Sequence, residues 1–525
     1  MRAAGLRQFL TEHARLAAPV LGVAAATGFQ PLGLWPLALA AMAAFAALLA
    51  DAPDPKRAAL LGWLFGVGHF TLGNSWIATA FTHQAQMPAV LGWVAVPLLS
   101  LYLALYPALA ALGARALAGA RPWALALALA GCWTLAELLR ARVFTGYAWN
   151  PFAMVLLGPF DRPGLAALSP WLGTYALSGL AVLLAGALAA LARERRPVAG
   201  ALVAALLAAG MYLPADPPRE GTVRFTLVQP DLTQQRIADP RYYEANFVRL
   251  AQLSEPRDTA GRLVLWPESG LADYLRPGYP QRYYDRTTAF QDPRLARERI
   301  ARLIGREAVL LTGAVDLEIA APESGEARAI GAYNAVTALK DGAILGGYAK
   351  AHLVPYGEYL PMRPLLEPLG LSRLVAGTID FIPGPGPRTL DLGRMGQAGI
   401  QVCYEIVFSG EVAERGNRPD YIFNPSNDGW FGPSGPPQHL AQARMRAIEE
   451  GLPVLRSTTS GISAVIDARG VVREHFPRLQ GGRMDGIVPP PAAPTLFARL
   501  GNALPLLWAM VFLALAAVAL RRRRG

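Results

Sequence analysis

A chain of 525 residues is long enough for more than one domain, and with 53% hydrophobic and only 17% charged residues it is too apolar for an ordinary soluble enzyme. A formal net charge of +11 would suit a nucleic-acid binder only if Lys and Arg shared a stripe with aromatics, whereas here many basic residues fall between apolar runs. The two cysteines, Cys132 in an apolar run and Cys403 in a more polar region, argue against a disulfide; neither they nor six scattered histidines form a metal-ligand pattern, so no cofactor is expected.

The basic stretch 1–15 precedes an apolar run over 16–33, which alone could be a cleaved signal peptide. Further runs follow at once over 34–50, 58–80, 90–112, 123–139, 165–192 and 198–213, with a last one over 504–520. Each is about long enough to cross a hydrocarbon core of roughly 30 Å, so the first run reads as an uncleaved helix and the total as about eight transmembrane helices. If every run spans once, Arg2, Arg7, Arg15, Lys56, Arg57, Arg115, Arg121, Arg193, Arg195, Arg196 and the terminal Arg521 to Arg524 fall on one side. By the positive-inside rule that side is the cytoplasm, which puts both termini there and the long segment between the last two helices outside. The expected division is helices one to seven over 1–213, an extramembrane domain over 214–499 and the last helix with its arginine tail over 500–525. In a bacterium this is a multi-pass inner-membrane protein with a periplasmic domain.

His69, Asn74, Glu137 and Arg140 lie at or near membrane depth, where ionisable groups are costly. Glu137 and Arg140, spaced i,i+3, are placed to pair on one helix face, or else to snorkel to the interface. The loop Gly146-Tyr147-Ala148-Trp149-Asn150-Pro151 is aromatic in the manner of membrane interfaces, and could equally line a lipid access path.

Beyond residue 222 strands alternate with helices. Strands are predicted over 223–228, 262–266, 309–315, 332–339, 343–348, 397–402, 421–424, 454–458 and 464–467, and helices over 242–253, 294–304, near 411–415 and over 439–450. Three ionisable residues follow or close apolar strands: Glu268 after Leu263 to Pro267, Lys350 after Ile344 to Ala349, and Cys403 after Ile400 to Val402. If these strands share one sheet, their ends bring an acid, an amine and a thiol together, the set that acyl transfer requires. A carboxylate at Glu268 would take the thiol proton, and Lys350 with the backbone N–H of Tyr404 would receive the negative charge that builds on the attacked carbonyl oxygen.

Trp266-Pro267-Glu268-Ser269, the stretch Tyr348 to Glu358 and Cys403-Tyr404-Glu405 resemble the three catalytic boxes of the nitrilase superfamily, whose triad is Glu, Lys and Cys. With about eight helices and the catalytic domain inserted before the last one, the chain resembles the apolipoprotein N-acyltransferase family. The runs Leu353 to Pro361 and Asn424 to Phe431 are similar to that family's, as is Trp133-x-x-x-Glu137-x-x-Arg140 followed by Gly146-x-x-Trp149. The resemblance implies an αββα sandwich in the extramembrane half. It also implies a ping-pong reaction: Cys403 takes a fatty acyl chain from the sn-1 ester of a phospholipid, with phosphatidylethanolamine the expected donor. The chain then passes to the α-amine of the diacylglyceryl-cysteine that begins an apolipoprotein. On this reading Glu358 orients Lys350 or the substrate, Tyr404 and Glu405 support the site, and Trp430, Asn427 and Trp149 contact substrate. Tyr404, Glu405 and Trp430 could instead simply pack beside the nucleophile. One departure stands out: the segment Gln229 to Ile237 lacks a tryptophan that many members carry just after this point, so no substrate contact is assigned there. His439 reads as a helix cap, and Met445 and Ile448 as core.

A membrane-tethered amidase that hydrolyses a small C–N substrate is the nearest alternative, but one anchoring helix would serve it. A transporter with a non-catalytic outer domain is another, and the intact Glu268, Lys350 and Cys403 set argues against it. Both substrates of the acyltransferase keep their chains in the bilayer, so a site at the interface avoids extracting CH₂ groups at about 0.8 kcal/mol each.

Overall fold

The computed structural model describes residues 12–83, 88–320, 326–369 and 380–521. Arg2, Arg7 and Arg522 to Arg524, used above for orientation, lie outside the described residues.

The first half is helical: α1 (Ala14–Ala26), α2 (Trp35–Asp51), α3 (Pro55–Gly73), α4 (Leu91–Leu103), α5 (Leu105–Ala118), α6 (Pro122–Arg140), α7 (Ser169–Arg193) and α8 (Pro197–Tyr212). Proline sits in the first turn of α2, α3, α6, α7 and α8, where no intrahelical partner for its missing N–H exists. Asp54 caps α3 by accepting from Arg57 N at 2.8 Å. Among the described residues four stretches are long and apolar enough to cross a membrane: Leu91–Ala118, Pro122–Arg140, Leu165–Arg193 and Ala503–Arg521. Helices α1, α2 and α8 are apolar but shorter, at 13, 17 and 16 residues. Helix therefore occupies all eight predicted apolar runs, and length and composition alone assign spans to four regions.

Glu137 and Arg140 do not pair as their spacing suggested. Glu137 Oε1 accepts from Trp133 Nε1 (3.0 Å) and Phe152 N (2.8 Å), and Arg140 Nη1 donates to Trp149 O (2.8 Å). Both side chains reach forward to the loop that follows α6, where unsatisfied backbone groups offer them stronger partners than each other.

The second half contains α9 (Tyr243–Leu253), α10 (Pro293–Ile304), α11 (Gly435–Glu450) and twelve strands. One sheet joins β1 (Arg224–Gln229), β2 (Leu263–Trp266), β3 (Val309–Ala320), β4 (Arg328–Lys340), β5 (Ala343–Ala349) and β12 (Gly482–Ile487) in the order β12-β1-β2-β3-β4-β5. The other joins β6 (Thr389–Asp391), β7 (Gln397–Ile400), β8 (Tyr421–Ser426), β9 (Val454–Thr458), β10 (Ser463–Ile466) and β11 (Val472–Phe476) in the order β11-β10-β9-β8-β7-β6. In each, three adjacent strands run parallel, β1-β2-β3 and β7-β8-β9, with antiparallel strands on both sides.

The continuous apolar runs form strands buried on both faces, and alternation along them shows how. Leu263 and Leu265 join Ile400, Tyr421, Phe423 and Leu455 between the two sheets. Their neighbours Val264 and Trp266 face outward onto Phe247 and Leu250 of α9 and Ile300 and Ile304 of α10. On the second sheet Ile422, Val454 and Ala464 pack under Leu440, Ala443 and Ala447 of α11. The layers run helix, sheet, sheet, helix. The far face of α11, with Ala441, Met445 and Ile448, joins the core of the membrane-side helices, so α11 is shared by both halves. A final helix, α12 (Ala503–Arg521), returns the chain to those helices.

Three strand or helix expectations need correction. No helix forms at 411–415, where the chain runs in bends between Gly410 and Gly416 and Glu414 instead accepts from Thr389 N at 2.8 Å. Strands β6, β11 and β12 were not expected; β6 has three residues, while β11 and β12 leave several residues exposed and carry no continuous apolar signal. Helix α11 starts at Gly435, a full turn before the predicted start, so His439 lies inside the helix and is no cap.

Candidate active site

Glu268 follows β2 and Lys350 follows β5 of the first sheet, but Cys403 follows β7 of the second. The residue order left open whether these strands share one sheet; they lie on two sheets that face each other, with the acid and amine on one and the thiol on the other. Gly313 on β3 allows the turn at Glu268 to come close: a Cβ there would stand 2.6 Å from Glu268 Cα.

Lys350 is 1% exposed, and its ammonium lies 2.9 Å from Glu358 Oε2 and 3.7 Å from Glu268 Oε1. Burial works against that charge, but the carboxylates of Glu358 and then Glu268 more than offset it and hold the ammonium protonated above the usual lysine range. Asn334 on β4, which the sequence reading missed, bridges the two acids. Its Nδ2 donates to Glu268 Oε1 (2.6 Å) and Glu358 Oε1 (2.7 Å). Asn427 donates its backbone N–H to Glu268 Oε2 at 2.7 Å, while its side chain donates to Gln234 (2.9 Å) and accepts from Thr459 (3.0 Å). Glu358 also accepts from Val354 N at 2.8 Å, which closes the turn carrying it back onto the end of β5.

Cys403 has φ +52°, a left-handed backbone that a non-glycine residue adopts only where its surroundings enforce it. Burial and then the charge of Glu268 push its thiol well up, while Lys350 opposes them. The enforcement comes from two sides. Glu405 accepts from Val402 N (2.8 Å) on one oxygen and from Tyr348 OH (2.7 Å), Ala351 N (2.7 Å) and His352 N (3.2 Å) on the other, stitching the nucleophile's turn to the end of β5. Burial raises the Glu405 carboxyl to about 7 despite these donors.

On the other side His439 places Nε2 3.0 Å from the Cys403 carbonyl and Nδ1 3.1 Å from Asp428 Oδ1. Arg456 donates to both Asp428 oxygens at 2.8 Å. Burial acts to raise Asp428, but Arg456 overrides it and keeps the carboxyl far below the ordinary range. Burial and then Arg456 act to lower the imidazole; its Nε2 can satisfy the Cys403 carbonyl only as a donor, and with Arg456 Nη2 3.0 Å from Nδ1 the His439, Asp428 and Arg456 side chains form a buried frame beneath the nucleophile. The signal for Asp428 was present in the Asn427-Asp428-Gly429 run; for His439 and Arg456 there was only their placement on otherwise apolar elements.

The remaining predicted residues lie apart from this cluster. Tyr404 is buried with its ring edge-on to Phe408, centroids 5.1 Å apart. Trp149 is 0% exposed, donates Nε1 to Gln438 at 2.8 Å and packs on Trp76, Phe431 and His439; it offers no surface to a substrate here and braces α11 instead. Trp430 is half-buried and meets His83 edge-on at 5.8 Å, at the contact between the turn Asp428–Trp430 and the turn Ser75–His83 of the helical half. The segment left unassigned above includes Gln234, which touches Asn427.

A profile described as the apolipoprotein N-acyltransferase N-terminal domain matches residues 21–187, and one described as carbon-nitrogen hydrolase matches residues 232–478. The chain is 36% identical over 533 aligned positions to an apolipoprotein N-acyltransferase of Rhodopseudomonas palustris, covering 96% of this chain and 94% of that one. It is 35% identical to a Bradyrhizobium diazoefficiens protein of the same name, covering 89% and 86%, and 30% identical to one from Nitrosomonas europaea, covering 97% and 98%. With a helical half and a carbon-nitrogen hydrolase half matched in order and end-to-end similarity to these relatives, the chain belongs to the apolipoprotein N-acyltransferase family.

Proposed function

We propose that the protein moves a fatty acyl chain from the sn-1 ester of a phospholipid, phosphatidylethanolamine foremost, to the α-amine of a diacylglyceryl-cysteine at the N-terminus of an apolipoprotein. The observation that carries this reading is a buried acid, amine and thiol at the ends of two facing sheets, set on an apolar helical half rather than in a free-standing domain. Glu268 takes the Cys403 proton as the thiolate attacks the ester carbonyl, and Lys350 with the Tyr404 N–H stabilises the oxyanion. The tetrahedral adduct collapses to a thioester, and the lysophospholipid leaves with the proton from Glu268. In the second half-reaction the amine attacks the thioester, Glu268 accepts its proton, and the thiolate departs and is reprotonated. Glu358 and Glu405 hold Lys350 and the nucleophile turn; Asn427 fixes Glu268, and Trp430 stands at the approach from the membrane side.

The same reading takes 1–213 and 500–525 as about eight transmembrane helices and 214–499 as an αββα catalytic domain on the periplasmic face of the inner membrane, with both termini in the cytoplasm. The test is intact-protein mass spectrometry after incubation with phosphatidylethanolamine and no acceptor. The expected result is a gain of one acyl chain, absent in Cys403→Ala and discharged by a diacylglyceryl peptide with a free N-terminus. A well-folded protein that gains no adduct, yet hydrolyses small amides, would replace this reading with the amidase.

A further inference from the structure

Where α12 leaves the α/β half, a cavity of about 300 Å³ remains that the proposed reaction does not use. Arg415, Arg418, Arg499 and Glu450 line it. Arg418 is held from behind, donating to the carbonyls of Glu450 (2.8 Å) and Gly451 (3.2 Å). Arg415 lies on Gly501, where φ is +55° and a Cβ would stand 1.5 Å from Arg415 Nη2; only glycine leaves the guanidinium that position. Among the described residues neither Arg415 nor Arg499 enters a side-chain hydrogen bond or an ion pair within 4 Å. Glu450 is 6% exposed, and no hydrogen bond or ion pair among those residues reaches its carboxylate. Burial and then Glu449 push that carboxyl up to about 7, while Arg446 and then Arg418 and Arg415 act to lower it. The cavity thus holds three guanidinium groups and two acids, of which Glu414 accepts from Thr389 N at 2.8 Å while the Glu450 carboxylate has no hydrogen bond or ion pair among the described residues.

Its depth follows from the neighbouring residues. Gly501 lies two positions before α12, the last stretch able to cross a membrane. Trp508 on α12 donates to Trp171 O on α7 at 2.9 Å, and Trp171 is 59% exposed, as Trp side chains at headgroup level are. Leu496 and Leu500 beside the cavity are 43% and 39% exposed, giving it an apolar flank. Arg521 marks the opposite end of α12, so these arginines do not belong to the basic cluster at that end.

We propose that this cavity holds the headgroup of a resident zwitterionic phospholipid, its phosphodiester on Arg415, Arg418 and Arg499 and its amine on Glu450, with the acyl chains along Leu500 and α12. This lipid is not the acyl donor: Glu450 lies eleven residues along α11 from His439, about 16 Å at the helical rise, whereas phosphate and glycerol ester in one lipid are a few bonds apart. The inference stands whether or not the acyl-transfer reading does.

The experiment is native mass spectrometry of the delipidated full-length protein in detergent, titrated with phosphatidylethanolamine, phosphatidylglycerol or inorganic phosphate, alongside the Arg415→Gln/Arg499→Gln double variant and Glu450→Gln. The wild type is expected to retain one intact phosphatidylethanolamine beyond any acyl adduct, about tenfold more tightly than phosphatidylglycerol, and the double variant to weaken that retention by at least about tenfold. Glu450→Gln is expected to erase the preference between the two lipids. Acyl-enzyme formation at Cys403 in the double variant reports its fold and separates failure here from failure of the acyl-transfer reading. If the double variant does not fold, the single exposed Arg499→Gln is measured in its place. Wild-type protein that retains no intact lipid, variants that retain it as the wild type does, or binding of inorganic phosphate alone would each overturn the proposal.

Discussion

Charge is buried in two regions of this molecule, and the two are built differently. Along α11, Arg446 pairs with Glu449 at 2.7 Å and donates to Val407 O at 3.1 Å, Glu449 accepts from Thr174 N of α7 at 2.6 Å and from Ser409 at 2.8 Å, and Arg444 donates to the carbonyls of Gly158, Pro159, Arg162 and Gly470. These groups are closed on by partners from both halves and fasten the catalytic domain to the helices. At the strand ends Lys350 has one tight partner in Glu358, while Glu268 stands 3.7 Å from the ammonium and is held instead by Asn334 and the Asn427 N–H. Buried charge fastens the structure where cation and anion pair closely, as Arg446 Nε and Glu449 Oε2 do at 2.7 Å, and is available for proton transfer where such a pair is left at a distance.

The comparison breaks most readily at Glu268, the acid that lacks a close cation. Glu268→Gln can still accept from Asn427 N, gives up the bond from Asn334 Nδ2 and cannot take a proton, and single-turnover acylation of Cys403 is expected to fall by about a thousandfold with the fold intact. A loss of less than tenfold would remove Glu268 from the role of base. The saturated region predicts the reverse pattern. Arg446→Met leaves Glu449 buried without its cation, so unfolding in detergent should become easier by about 3 kcal/mol. Acylation per folded molecule should stay unchanged; a large rate loss at full stability would show that α11 takes part in the chemistry.

His439 lies between these extremes, saturated itself yet touching the nucleophile's own carbonyl. His439→Ala is expected to slow acylation at saturating donor by about tenfold, the worth of one such hydrogen bond, with KM held and with partial recovery in His439→Gln. An equal change in KM and kcat, or no recovery, would make the residue mere packing. The smallest effect is on pH. Glu405 and Glu450 have folded pKa values of about 7, above the roughly 4.3 of an unfolded glutamate, so between those values the folded chain holds protons that the unfolded chain has lost. Stability should therefore fall as pH rises from about 4.3 to about 7. The melting temperature should drop by a few degrees over that range, and Glu450→Gln should flatten the drop; a flat wild-type curve would refute the assignment.

Much of the site was legible from residue order. Glu268, Lys350 and Cys403 each end an apolar run, and the same runs gave most of the strands that carry them. Asn334 was missed because a polar residue inside a strand looks the same whether it faces water or two carboxylates. Trp149 was read as a substrate contact because an aromatic loop between helices resembles an interface, yet Gln438 and the rings around it draw it fully inside. Glu137 and Arg140 satisfied a helical pairing rule and were claimed by the backbone of a loop instead.

What the amino-acid order determined by itself is local: where apolar runs make helices or strands, where each run stops, and which reactive group stands at the stop. Hydrophobic periodicity and chain stiffness act over a few residues, so these features need no knowledge of the rest of the chain. Only the tertiary structure decided that the acid and amine come from one sheet and the thiol from another, that α11 is the common wall of both halves, and that His439 sits under Cys403. Those facts depend on which apolar faces bury each other, a choice made between segments far apart in the chain and invisible to any local pattern.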